Sequence, residues 1–254
     1  MEKTFTLKVY RGIANQQFWE EFELELKPFF NITSALMQIQ KCPINKKGEK
    51  VTPIAWEQGC LEEVCGSCSM LINGCPRQGC TALAHQLLQA TGSSCITLAP
   101  LTKFPLMKDL VVDRTSMYEN LKKVRAWIDV DDALDRGFGP KINPELQEAM
   151  YVLSTCMTCG CCTEACPQVN PNSQFMGPAP ISQARLFNAH PIGKLAKADR
   201  LRPLMNESGI SGCGNAQNCV RVCPKNIPLT ESISVIGREV SKQALRDMVG
   251  LPDV

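Results

Sequence analysis

The first part of the chain alternates between apolar and polar positions. Thr4-Phe5-Thr6-Leu7-Lys8-Val9-Tyr10 puts an apolar side chain at every second place, and Phe22, Leu24 and Leu26 alternate with Glu21, Glu23 and Glu25. A period of two marks a strand with one buried face. Arg11-Gly12 is expected to end the first strand, and Pro28 to close the second. Ser69–Ile72, Ile96–Ala99 and Leu110–Val112 are further strand candidates. Ala35–Lys41 is predicted as a short helix with Leu36 and Ile39 on one face, capped by Thr33 or Ser34.

Past residue 113 the period changes to that of helices. Leu121, Val124 and Ile128 recur at helical spacing in Ser116–Trp127. Pro144 opens a helix to about Ser154, proline being well placed in a first turn. Ser182–Ala189 and a long Thr230–Met248 follow, while Gly137–Pro140 and Met176–Pro180 read as loops. The expected division is therefore a sheet-rich domain, 1–113, and a helical one, 114–254.

Charge narrows the function little. The net charge is +2, from 27 Lys+Arg and 25 Asp+Glu, so no basic field argues for nucleic acid. The stretch Arg185, Lys194, Lys197, Arg200 and Arg202 reads as a solvated face. The N-terminus lacks the pattern of a secretory signal, and no apolar run reaches the ~18–20 residues that cross a bilayer. The expected compartment is reducing, where clustered cysteines serve as metal ligands or redox groups before disulfides.

Cysteine changes the picture most. There are 15, an odd number that forbids complete pairing, against two histidines, His85 and His190. Both histidines read as structural, His190 at a helix end near terminal carbonyls. Cys60, Cys65 and Cys68 are spaced C-x4-C-x2-C, as in a plant-type [2Fe–2S] site, with Gly59, Gly66 and Ser67 small enough to let amides approach sulfur. Zinc or unliganded thiols are the alternative. The fourth ligand is Cys75 or Cys80. Asn73-Gly74 is a favoured two-residue hairpin turn. If it forms, Ile72 faces Cys75 and Cys68 faces Gly79. Cys80 then lies beside Cys68, and Cys75 is four residues away, roughly 13 Å at a rise of about 3.3 Å per residue. The register favours Cys80.

Two further runs end alike. Cys156, Cys159, Cys162 and Cys166-Pro167 form C-x2-C-x2-C-x3-C-P, the bacterial [4Fe–4S] signature, with Cys161 out of step. Cys213, Cys219 and Cys223-Pro224 repeat it, with Ala216 where the second cysteine belongs. In two-cluster ferredoxins the fourth cysteine of each run serves the other cluster. That crossing assigns Cys156, Cys159, Cys162 and Cys223 to a [4Fe–4S] cluster. Cys166, Cys213 and Cys219 remain for a [3Fe–4S] cluster, or for a four-iron one with a water or foreign ligand. Cys42, Cys75, Cys95 and Cys161 are left over as small, partly buried side chains. With no nucleophile–base pair and no phosphate-binding loop, the chain reads as an electron conductor whose end reactions belong to partners.

These cysteine runs, with Phe175-Met176-Gly177-Pro178-Ala179 between the last two, resemble the iron–sulfur subunit of the succinate dehydrogenase and fumarate reductase family over nearly the whole chain. The resemblance implies an α+β chain: an N-terminal β-grasp plant-type [2Fe–2S] ferredoxin domain, then an all-helical bacterial-type two-cluster ferredoxin domain. It implies a flavoprotein partner with FAD that oxidises succinate to fumarate, or runs in reverse as quinol:fumarate reductase. It further implies a membrane anchor, often with haem b, that receives electrons for quinone and holds the chain at the cytoplasmic face of a bacterial inner membrane. Ubiquinone-reducing relatives carry a tryptophan pair after the cysteine matching Cys166. Here Pro167-Gln168-Val169-Asn170-Pro171 has none, which fits a menaquinone partner. Cys68, an Asp in some relatives, resembles the same branch. Pro167 remains as a neighbour of the quinone site.

Overall fold

A computed structural model describes residues 4–129 and 141–253. The predicted loop at Gly137–Pro140 lies outside them. The chain forms two compact units. The first comprises residues up to Arg114 together with Met157–Ala165, and the second Thr115–Cys156 together with Cys166 onward.

The first unit is built on a five-stranded sheet. β1 (Thr4–Ile13) pairs antiparallel with β2 (Gln16–Glu25) and parallel with β5 (Cys95–Ala99). β5 pairs antiparallel with β3 (Ser69–Ile72), and β3 with β4 (Cys75–Gln78), giving the order β2-β1-β5-β3-β4. Two short strands, β6 (Leu106–Lys108) and β7 (Val111–Val112), pair separately. The period-two pattern decides the core: Phe5, Leu7 and Val9 of β1, Phe22 and Leu24 of β2 and Ile96 and Leu98 of β5 point inward. They meet Ile32, Leu36 and Ile39 of α1 (Ile32–Lys41). Each fully buried side chain of this size contributes about 1.5–3 kcal/mol.

Two local expectations need correction, and one helix is additional. β1 does not stop at Arg11, because Arg11 takes the next inward position and is compensated there. Its guanidinium ion-pairs with Glu20 and Asp109 and donates to the Thr52 hydroxyl at 3.1 Å. Gly12 continues the strand at φ +114°, where a side chain would collide with the Gln16 carbonyl. The cap of α1 is Asn31, not Thr33 or Ser34, and its side-chain oxygen accepts from the Ser34 amide at 2.8 Å. A helix, α2 (Ala84–Thr91), follows Cys80, its end marked only by left-handed Gly92.

In the second unit α3 (Thr115–Lys123) stops short of the predicted Trp127. α4 (Pro144–Ser154) has the expected bounds, with Asn143 as its cap. In the first unit α5 is the short Cys161–Glu164. Back in the second, α6 (Pro178–Ala189) begins four residues earlier than expected. Pro178 and Pro180 fall in its first turn, where a missing amide costs nothing. Short α7 (Lys197–Leu201) and α8 (Asn218–Arg221) precede the long α9 (Leu229–Met248). α6 and α9 pack through Ile181, Ala184, Ile236 and Val240, joined by Phe175, Leu201 and Leu204.

The basic stretch is only partly a solvated face. Arg200 is 1% exposed, and its guanidinium donates to the Arg125 carbonyl at 2.9 Å, the Trp127 carbonyl at 2.7 Å and the Gly193 carbonyl. At the end of α6, His190 accepts the Ile192 amide on Nδ1 at 3.2 Å instead of donating to carbonyls.

Asp109 ties the first unit together. It is 2% exposed and accepts the Gly12 and Ala55 amides, both at 2.8 Å, beside Arg11. Removing one partner of a buried ion pair leaves the other charge uncompensated. Asp109→Ala should therefore destabilise the chain by about 3–5 kcal/mol, seen as a lower urea midpoint. A change under about 1 kcal/mol would show that Arg11 is held without it.

Candidate metal centres

Residues 59–68 wrap a set of sulfurs with their own backbone. Leu61 and Glu63 adopt φ of +63° and +59°, and Gly66 +75°. Left-handed conformations at non-glycine residues cost about 1–3 kcal/mol each and concentrate at functional sites. Here they turn successive amides inward. The amides of Glu62, Val64 and Cys65 donate to Cys60 Sγ at 3.4, 3.2 and 3.3 Å. Those of Cys60 and Ser67 donate to Cys65 Sγ at 3.4 and 3.5 Å, and that of Glu63 to Cys80 Sγ at 3.3 Å. Such a cradle of N–H groups suits an anion.

The sheet supplies the other side. β3 and β4 pair with Ile72 opposite Cys75 and Ser69 opposite Gln78, and the Gly79 amide donates to the Cys68 carbonyl at 3.0 Å. Cys80 thus lies beside Cys68, while Cys75 stays exposed at the turn. Asn31 fixes Cys80 further, since its side-chain amide donates to the Cys80 carbonyl at 2.9 Å. The structure brings together Cys60, Cys65, Cys68 and Cys80. Cys68 and Cys80 are buried and Cys65 is exposed. The Ser67 hydroxyl first, then the Cys60 and Ser67 amides, lower the Cys65 thiol to about 6. Burial and the adjacent Cys68 push Cys80 up to about 12. The donor set therefore favours thiolate, the iron-binding form, on the loop side. A side chain on Gly59 would come within 2.8 Å of Cys65 Sγ, so a glycine is needed where the backbone passes the sulfur.

Residues 157–165 belong to the same unit, and Cys159, Cys161 and Cys162 are buried there. Gly66 abuts this segment: a side chain on it would lie 2.9 Å from the Cys159 Cα and the Met157 carbonyl. Gly160, at φ +88°, faces the Phe104 ring. Buried Glu164 accepts the Thr102 hydroxyl at 2.6 Å and the Lys103 amide at 2.9 Å. The neighbouring Cys161 and the Arg114 charge are among the causes that lower Cys159 to about 7, the Cys161 hydrogen bond being the largest. Cys161 itself is fully buried, and its hydrogen bond with Cys159 and its burial push its thiol up. Gln78 joins this cysteine to the first set: its Nε2 donates to Cys161 Sγ at 3.6 Å and to Ser69 Oγ at 2.8 Å, while Cys68 Sγ donates to its Oε1 at 3.5 Å.

In the second unit Cys166, Cys213 and Cys219 line one cavity with Pro167, Gln168, Phe175 and Ala216. Asn215 and Gln217 flank Ala216 at φ of +52° and +60°, bending the chain around the opening. Burial, then the nearby Cys166 and Cys213, push the Cys219 thiol up. Gly214 packs on the Gln168 side chain, whose amide end would have to move for a Cβ. Cys156 and Cys223 also lie in this unit, and Cys223 Sγ accepts the Ile227 amide at 3.4 Å. Of the leftover cysteines, Cys42 and Cys75 are exposed and Cys95 is half-buried. Asn31, Gln78, Arg114 and Glu164 were not expected from the sequence. Glu164 stands at an unassigned position of the Cys156–Cys166 run, and the other three lie outside the cysteine spacings, where only the fold brings them to the cysteines.

Known proteins share this plan. Residues 6–119 match a model of the 2Fe-2S iron-sulfur cluster binding domain, and residues 152–227 a model of the 4Fe-4S dicluster domain. The succinate dehydrogenase iron-sulfur subunit of Bacillus subtilis is 54% identical over 91% of this chain and 89% of its own length. The fumarate reductase iron-sulfur subunit of Wolinella succinogenes is 28% identical over 94% and 98%. A chain of the Mycobacterium smegmatis Sdh1 complex has the same fold, with a TM-score of 0.79 and 24% identity over 96% of this chain and 98% of that one. A two-domain iron–sulfur plan, matched at this identity along almost the full length, places the chain in the iron–sulfur subunit family of succinate dehydrogenases and fumarate reductases.

Proposed function

We propose that this chain is the electron-transfer subunit of a succinate dehydrogenase. It would take electrons from a flavoprotein subunit whose FAD oxidises succinate, and deliver them to quinone at a membrane anchor. The observation that carries the reading is the thiol arrangement. A loop of inward amides donates to Cys60, Cys65 and Cys80, with Cys68 beside Cys80, and a cavity gathers Cys166, Cys213 and Cys219 around Ala216. The first four residues hold a [2Fe–2S] cluster. Cys156, Cys159, Cys162 and Cys223 hold a [4Fe–4S] cluster by the crossing of the two runs. Three thiols and an alanine suit a [3Fe–4S] cluster. When bound, the clusters supply one-electron carriers in series, as a two-electron flavin donor requires.

The residues of the chain do the rest. Amide donors stabilise the negative charge on the ligating sulfurs, and glycines at 59 and 66 give the backbone the clearance to do so. Among the described residues no helix is long and apolar enough to cross a membrane. We assign the membrane-bound end to an anchor subunit, with haem b where present, on the cytoplasmic face of a bacterial inner membrane, as in the related complexes. Pro167 lines the three-thiol cavity and is a quinone-site neighbour. The run after Cys166 has no tryptophan, which supports menaquinone. Fumarate reductases among the relatives support the reverse direction as a second reading, at lower identity. Succinate oxidation compared with fumarate reduction in isolated membranes decides between them. Ubiquinone as the sole co-purified quinone would refute the menaquinone assignment.

Three substitutions test the ligands. Cys80→Ser should abolish or strongly weaken the EPR signal of the reduced [2Fe–2S] cluster, while Cys75→Ser leaves it unchanged. The opposite result would move the fourth ligand to the turn. Ala216→Cys should convert the three-iron centre to a four-iron one of lower potential, slowing quinone reduction. Loss of the oxidised three-iron signal is the reading. An oxidised wild-type sample without that signal would sink the three-iron assignment.

A further inference from the structure

Arg114 closes the first unit's main run of sequence, and its guanidinium reaches back to the cysteine loop. Nη1 donates to the Gly66 carbonyl at 2.9 Å, and Nη2 to the Ser67 carbonyl at 2.9 Å. The side chain is only 13% exposed and pairs with Glu57 at 3.2 Å. Its Nε–H is buried without an acceptor among the described residues. A buried donor left unspent asks for an acceptor or a strong negative field beside it. The Ser69 hydroxyl also donates to the Gly66 carbonyl, at 2.7 Å.

The Gly66 carbonyl and the Ser67 amide belong to one planar peptide unit and point in opposite directions. Two donors gripping the oxygen therefore aim the N–H the other way. It donates to Cys65 Sγ at 3.5 Å. Without Arg114 this plane, at a glycine with φ +75°, has one fewer restraint on its rotation.

We propose that Arg114 is a positioning residue that sets the reduction potential of the [2Fe–2S] cluster. It pins the Gly66–Ser67 peptide so that its amide faces Cys65, and it places a positive charge at the loop. The inference rests on the reading of Cys60, Cys65, Cys68 and Cys80 as the ligands. Reduction adds one electron, and so one negative charge, to the cluster. A cation and an aimed amide both stabilise that form, so both raise the potential. Arginine suits the task because its rigid fork grips two carbonyls at once, which an ammonium cannot do in the same geometry.

The test is an EPR redox titration of the reduced [2Fe–2S] signal in the purified complex, for wild type, Arg114→Gln and Arg114→Lys. Arg114→Gln should lower the reduced-to-oxidised ratio at fixed potential about tenfold, a shift of about 59 mV for one electron. Arg114→Lys keeps the charge and loses the fork, so its shift should fall between wild type and the glutamine variant. A change of less than about twofold in Arg114→Gln, with the signal intact, would overturn the proposal. Loss of the signal in both variants would also overturn it, by making Arg114 a requirement for folding of the loop. A wild-type complex with no reduced [2Fe–2S] signal would instead refute the ligand reading itself.

Discussion

Sulfur ligands that carry negative charge can be held inside a protein only if polar groups replace the water they lose. That constraint shapes the first unit. The loop from Gly59 to Cys68 spends two left-handed non-glycine residues to turn its amides toward sulfur. The strain persists because the surroundings over-determine it. The β3–β4 register places Cys80 beside Cys68, Asn31 holds the Cys80 backbone from the end of α1, and Arg114 grips the loop's carbonyls. The β3–β4 pair belongs to the five-stranded sheet and α1 packs on it, so the fold and the cysteine geometry are a single problem.

The three-thiol cavity meets the same constraint differently. Its lining is more apolar, with Phe175, Pro178 and Ile233 beside the cysteines, and burial raises the Cys219 thiol. A bound metal would hold such a thiol as thiolate at neutral pH. Ala216 lines this opening between two residues in left-handed conformation, Asn215 and Gln217.

Much of this was legible in the sequence, and the limits are physical. Alternation found β1 and β2, and the Asn73-Gly74 turn located the hairpin and its register correctly. The same reasoning misplaced the end of β1, because an inward arginine looks like a stop until Glu20 and Asp109 are seen to neutralise it. It also started α6 late, since two prolines read as loop when they stand in a first turn. The cysteine spacings survive in one dimension because each cluster loop is local. Arg114, Gln78 and Asn31 do not, because their partners lie tens of residues away.

The first unit is discontinuous: residues 157–165 complete it only after the chain has passed through 115–156 of the second. During synthesis this matters. Domains usually fold as units, the N-terminal one first as it leaves the ribosome. Here Glu164, which holds the Thr102 hydroxyl and the Lys103 amide, emerges about fifty residues after the rest of its unit. Until then Gly66 faces no Cys159, and the loop below it has no lid. The cysteine set nearest the N-terminus must wait for distant sequence, leaving a nascent chain with exposed thiols and a delayed moment at which iron can be sealed in.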